Sequence, residues 1–239
     1  MSARTKLFAI VSMIAFIVTV LWLALLIADT AGAGPLDTFE QVLAHVSDLD
    51  ALYYLTYANA ALTVLATTLL FAVLYLYCKT IAPALALLGL VFVPVYAALN
   101  LVVYLSQLTV VPALLTAYQQ AQHQAAAELL LQQTIQIWPG SAVSFLLGVG
   151  YAILGIPSII LGAILFWHRG LLRLAGALLA LSGIACLVGL IGMLAGNELL
   201  GNGSLAGGVL YLLALIPLNL AFWTSSRLAK YSLVTQRAA

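Results

Sequence analysis

The stretch Ala51–Gln107, ALYYLTYANAALTVLATTLLFAVLYLYCKTIAPALALLGLVFVPVYAALNLVVYLSQ, decides the architecture. It holds two apolar runs, Ala51–Tyr77 and Ile81–Gln107, and its only charged residue is Lys79 between them. Each run exceeds the roughly 20 apolar residues that carry an α-helix across the hydrocarbon core. The link around Lys79 is so short that the two helices must be antiparallel neighbours.

Working outward, four more segments meet the same criterion: Leu7–Ala28, Ser141–His168, Leu171–Gly196 and Ser204–Ser226. The first follows Arg4 and Lys6 and so has the flank of a signal peptide. Its apolar run of 22 residues is longer than the roughly 7–15 of a signal h-region. It is expected to be retained as a first span. Composition agrees with six spans. Of 239 residues, 65% are hydrophobic and 6% charged, with a mean hydropathy of +1.17. Soluble domains carry about 25% charged residues. The same numbers exclude a disordered chain, a coiled coil, a disulfide scaffold and a nucleic-acid binder. The expected fold is all-α: one polytopic membrane helix bundle over residues 1–239, with six transmembrane helices.

The charges sort by side. Arg4, Lys6, Lys79, Arg169, Arg173, Arg227, Lys230 and Arg237 fall on one side of a six-span arrangement. Asp29, Asp37, Glu40, Asp48, Asp50, Glu128 and Glu198 fall on the other. The positive-inside rule then makes both termini cytoplasmic in the plasma (inner) membrane.

Two connections are long, and both are expected outside. After the first span, Leu36, Phe39, Leu43, Val46 and Leu49 recur at spacings of three and four, which predicts a short helix with one apolar face. Asp37 and Glu40 have the spacing of a capping box, with Asp in place of Ser or Thr. The Gln-rich stretch Leu108–Trp138 is expected to extend the third span into water, turn, and re-enter at Trp138-Pro139. Trp138 would serve as an interfacial anchor and Pro139 as a helix start.

No Asp, Glu or Lys lies within a predicted span, and Arg173 sits in the first turn of the fifth. Proton relays, voltage sensors and Schiff-base pigments depend on intramembrane charge, so the sequence argues against all three. No HxxxH, HExxH or paired intramembrane histidine occurs, so no metal site and no cofactor is predicted. His45 and His123 read as solvated surface residues and His168 as an interfacial anchor. Cys78 and Cys186, predicted at different depths, read as buried small hydrophobes.

Gly148, Gly155 and Gly162 recur every seven residues on the fourth span, and Gly183, Gly189 and Gly192 mark the fifth. Small residues let membrane helices approach closely. Pro94, Pro157 and Pro217 lie inside spans 3, 4 and 6 and are expected to bend them. The uncharged polar pattern is the more informative one. Thr56, Asn59, Thr63 and Thr67 share a face of the second span, and Tyr96, Asn100 and Tyr104 share a face of the third. Asn59 is about 12 Å below the start of its span. Tyr53, Tyr57, Tyr151 and Tyr211 also fall toward the acidic side. Polar groups facing lipid are penalised, so the two stripes are expected to meet across the hairpin. They read either as interhelical glue or as part of a pocket. The candidate ligand-binding residues are Tyr57, Asn59, Thr63, Tyr96, Asn100, Tyr104, Tyr151 and Tyr211.

The architecture resembles a bacterial six-span integral membrane family known only as a domain of unknown function. The resemblance rests on the short cytoplasmic start, the long connection after span 1 and the Gly/Pro-bearing fourth span. The turn Arg169-Gly170-Leu171-Leu172-Arg173-Leu174-Ala175-Gly176 is also similar. It implies a fold and no activity. Three functions are left open. The first is a non-enzymatic accessory or scaffold subunit, meeting protein partners or a second copy of itself through apolar helix faces. The second is binding or transport of a lipid or other amphiphile through an Asn/Tyr-lined interior. The third is an intramembrane lipid-modifying enzyme, for which no acid-base pair is visible.

Overall fold

A computed structural model describes residues 3–31 and 33–237, and the side chains of 5–31 and 33–224. The described residues form helices and no strand: α1 (Ala3–Ala31), α2 (Phe39–Val46), α3 (Ala51–Cys78), α4 (Pro83–Tyr118), α5 (Gln124–Thr134), α6 (Ala142–Phe166), α7 (Leu171–Leu194), α8 (Glu198–Gly201) and α9 (Gly203–Arg237). Six segments are long and apolar enough to cross a membrane: Thr5–Ala31, Ala51–Cys78, Pro83–Tyr118, Ala142–Phe166, Leu171–Leu194 and Glu198–Thr224. The chain is an integral membrane protein with an all-helical bundle.

We call the end of the bundle where α1 begins proximal and the opposite end distal. Lys6, Lys79, Arg169 and Arg173 belong to proximal helix ends and turns. Asp29, Asp50, Glu128 and Glu198 belong to distal ones. The side chains of Arg4, Arg227, Lys230 and Arg237 lie outside the described residues.

The spanning helices pack in a ring: α1 on α3, α3 on α4, α4 on α6, α6 on α7, α7 on α9, and α9 back on α1. Close approach of α6 and α7 depends on glycine. A Cβ on Gly155 would stand 2.6 Å from the Gly183 carbonyl oxygen, and one on Gly162 would stand 2.7 Å from that of Gly176. The turn joining these helices contains Gly170 at φ 64°, a conformation that costs a side-chain-bearing residue energy. Pro94, Pro157 and Pro217 lie inside α4, α6 and α9, as their positions predicted, and Pro112 joins Pro94 within α4.

The proximal half is filled. Leu70, Phe71 and Leu74 of α3, Leu161 and Leu165 of α6, and Leu215 of α9 are all at most 1% exposed. The Phe8 ring of α1 packs 5.6 Å from Phe222 of α9 and 6.0 Å from Tyr77 of α3. His168 lies 5.4 Å from Tyr77 at this end.

Both long connections turn back onto the bundle at the distal end. The amphipathic segment forms α2, burying Phe39, Val42, Leu43 and Val46. Its capping box is not the expected Asp37/Glu40 pair but Thr38 with Gln41, one residue later. Thr38 has the extended backbone a cap requires (φ −117°, ψ 157°). The Gln41 N–H donates to Thr38 Oγ1 at 3.4 Å, and the Thr38 N–H donates to Gln41 Oε1 at 3.1 Å. Backbone N–H groups at this helix start, with the Thr38 hydroxyl, hold the Glu40 carboxyl below its usual pKa.

The second connection extends α4 to Tyr118 and returns as α5, with Ala127 and Leu131 buried. Pro139 does not start the next helix. Ser141 caps α6, its Oγ accepting the Ser144 N–H at 2.9 Å, and Pro139 precedes that cap. Trp138 packs edge-on to Phe39 at 5.6 Å, tying the two connections together.

Candidate functional site

The filled proximal core stops short of the distal end, where the ring encloses a cavity of about 460 Å³. On α3 its wall runs from Thr56 to Thr67. Eleven helical residues span about 16 Å, about half of a hydrocarbon core roughly 30 Å thick. The cavity therefore reaches from the distal rim to near mid-membrane, and Leu70 and Phe71 close it below. Its volume falls within the ~300–1,000 Å³ typical of small-molecule sites.

Two walls differ in chemistry. On one side, α1 contributes Trp22, Leu23 and Leu26, and α9 contributes Leu205, Val209 and Leu212. On the other, α3, α4 and α6 contribute hydroxyls. Tyr104 and Tyr151 join hydroxyl to hydroxyl at 2.7 Å. Thr67 and Tyr211 of α9 do the same at 3.1 Å. Tyr96 approaches Thr67, and its ring centroid is 6.3 Å from that of Tyr151. Ser182 and Cys186 of α7 complete the floor, with Ser182 Oγ donating to the Gly207 carbonyl at 2.7 Å.

The rim is polar. Asp29, Thr30, His45, Gln136 and Asn202 line it. His45 Nε2 lies 3.8 Å from Asp29 Oδ2, so α2 meets the distal end of α1 through this pair. The Tyr57 hydroxyl donates to Gln136 Oε1 at 3.3 Å.

Six of the eight candidate residues line the cavity: Tyr57, Thr63, Tyr96, Tyr104, Tyr151 and Tyr211. Asn59 and Asn100 do not. Asn59 Nδ2 donates to the Val18 carbonyl of α1 at 3.1 Å. Asn100 Nδ2 donates to the Tyr96 carbonyl at 3.0 Å, and the amide packs against Gly150 of α6. The expected seam across the hairpin is therefore corrected. Helices α3 and α4 are neighbours, but each has a second neighbour that takes its amide. Only Thr67, beside Tyr96, meets the other stripe. Tyr53 also leaves the cavity, donating to the Gln107 carbonyl at 2.8 Å.

Several site-building residues escaped the sequence reading. Gln107 is fully buried; its Nε2 donates to the Thr134 carbonyl at 2.8 Å and its Oε1 accepts the Gln136 N–H at 3.1 Å. It thereby seats Gln136 on the rim. At the end of an apolar run it reads as a boundary residue. Ser12 and Asn219 hold α1 to α9 below the cavity. Neither belongs to a run of polar residues at spacings of three and four, the pattern that picked out Asn59.

Among the described residues, no three His, Cys, Asp or Glu come together as a metal site. Cys78 and Cys186 are both buried and unbridged. No family model, no curated protein and no solved structure matches the chain. The site is a largely apolar cavity with a polar rim and a hydroxyl-bearing floor.

Proposed function

We propose that this protein binds a lipid or other amphiphile in the distal cavity, taking it sideways from the membrane between α1 and α9. The observation that carries this reading is the cavity of about 460 Å³, apolar along its α1 and α9 sides and closed toward the proximal end. The α1/α9 boundary supplies the route. Below mid-membrane these helices are joined through Phe8, Ser12, Asn219 and Phe222. Beyond Thr19, no described residue of α1 is buried. On α9, a Cβ at Gly208 would meet nothing within 4 Å. The positive-inside rule assigns the basic proximal face to the cytoplasm of a plasma membrane, so the cavity would serve the outer leaflet.

Native mass spectrometry of protein extracted in mild detergent tests the reading. Wild type should carry a retained lipid mass, and Gly208→Trp, which fills open space, should lose it while remaining folded. A folded Gly208→Trp that retains the same lipid would overturn the proposal. The accessory-subunit reading, including a homo-oligomer through apolar helix faces, is read in the same spectra. It predicts a stoichiometric protein partner in place of lipid.

A further inference from the structure

The hydroxyl cluster on the cavity floor specifies which end of a ligand sits there. Five O–H groups line this part of the cavity: Thr67, Tyr96, Tyr104, Tyr151 and Tyr211. Each hydroxyl brings one proton. The Tyr104/Tyr151 and Thr67/Tyr211 bonds use two of them, and the Tyr96 approach to Thr67 uses at most one more. At least two O–H donors therefore have no acceptor among the described residues. Nearer the rim, the Thr56 hydroxyl also lines the cavity, is 4% exposed, and has no partner.

A buried donor without an acceptor is costly. A ligand placing only hydrocarbon on the floor would leave the donors in that state. A ligand placing a charge there would meet no counter-charge, because all five floor groups are neutral hydroxyls, and burying an unpaired charge costs far more. The remaining chemistry is an uncharged acceptor.

We propose that the floor of the cavity receives the uncharged, carbonyl-bearing end of an apolar ligand, such as a quinone or an ester head, accepting hydrogen bonds from this tyrosine cluster. The inference rests on the cavity being an amphiphile site and adds the ligand's class and orientation. The ligand sits head inward, with its chain leaving between α1 and α9.

Two probes of equal chain length separate the cases: a decyl-substituted benzoquinone and decylbenzene, titrated against the full chain in lipid nanodiscs. Wild type should prefer the quinone by at least about fivefold, the factor one hydrogen bond supplies. Replacing all four phenols, Tyr96→Phe, Tyr104→Phe, Tyr151→Phe and Tyr211→Phe together, should abolish that preference and leave decylbenzene binding unchanged, which also reports that the cavity remains folded. Equal binding of both probes by wild type would overturn this inference and leave the amphiphile site standing. A quinone preference that survives the loss of all four phenol hydroxyls would overturn it as well. If neither probe binds and no lipid is retained, both readings fall.

Discussion

Ser12 of α1 and Asn219 of α9, 207 positions apart, exchange hydrogen bonds in both directions. Ser12 Oγ donates to Asn219 Oδ1 at 2.9 Å, and Asn219 Nδ2 donates to the Ser12 carbonyl at 3.1 Å. This pair joins the first spanning helix to the last just below the cavity. It fixes the depth to which the gap between them can extend.

Ser12→Ala and Asn219→Leu should each lower stability by about 0.5–2 kcal/mol, the range of hydrogen bonds between membrane helices. Because the two share their bonds, the double variant should cost less than the sum. Equilibrium unfolding in mixed detergent micelles measures it, and strict additivity would contradict the exchange.

Gly183→Leu and Gly208→Leu should behave oppositely, although both are helical glycines. At Gly183 a Cβ would run into the Gly155 carbonyl, and such overpacking typically costs about 1–3 kcal/mol. At Gly208 it would meet open space. Thermal denaturation should report a marked loss for the first and almost none for the second, while lipid retention falls only in the second.

Gln107→Leu should loosen the distal rim rather than the bundle. It removes bonds to the Thr134 carbonyl and the Gln136 N–H, leaving those part-buried backbone groups unpaired at up to about 1 kcal/mol each. Amide exchange should quicken in residues 124–136 and stay unchanged in α3. Uniform quickening would show that Gln107 holds more than this hairpin.

Asn59→Leu and Asn100→Leu should combine additively to within about 0.5 kcal/mol, because they share no partner. One amide meets α1 and the other lies against α6. Strong coupling in the same unfolding assay would restore a seam between the two stripes.

Cysteines placed at the exposed positions Asp37 and Thr80 test orientation. The native Cys78 and Cys186 are buried and should stay silent. A membrane-impermeant maleimide should label Asp37→Cys in intact cells and Thr80→Cys only after lysis. The reverse pattern would invert the proposed topology.

What the sequence determined by itself is everything governed by the bilayer as a solvent. Apolar length alone sets the six spans, since an exposed backbone in hydrocarbon has no alternative to the helix. Their alternation then puts Asp50, which caps α3, and Glu198 of α8 at one end. The α2 helix was legible from its spacing, but its cap moved by one residue, because Thr38 and Gln41 can form both bonds of a capping box. The cavity tyrosines were legible as a set, because a hydroxyl within the hydrocarbon core is favoured to turn inward. Their pairing was not. A helix face is about 100° wide, and in a ring it is divided between two neighbours. Which neighbour receives Asn59, and which receives Tyr96, depends on rotations set by the glycine contacts of α6 with α7 and by the junction of α1 with α9. The cavity arises at the same level. It is a volume left where α1 and α9 part, and no residue pattern along one chain records a space between two helices so far apart in sequence.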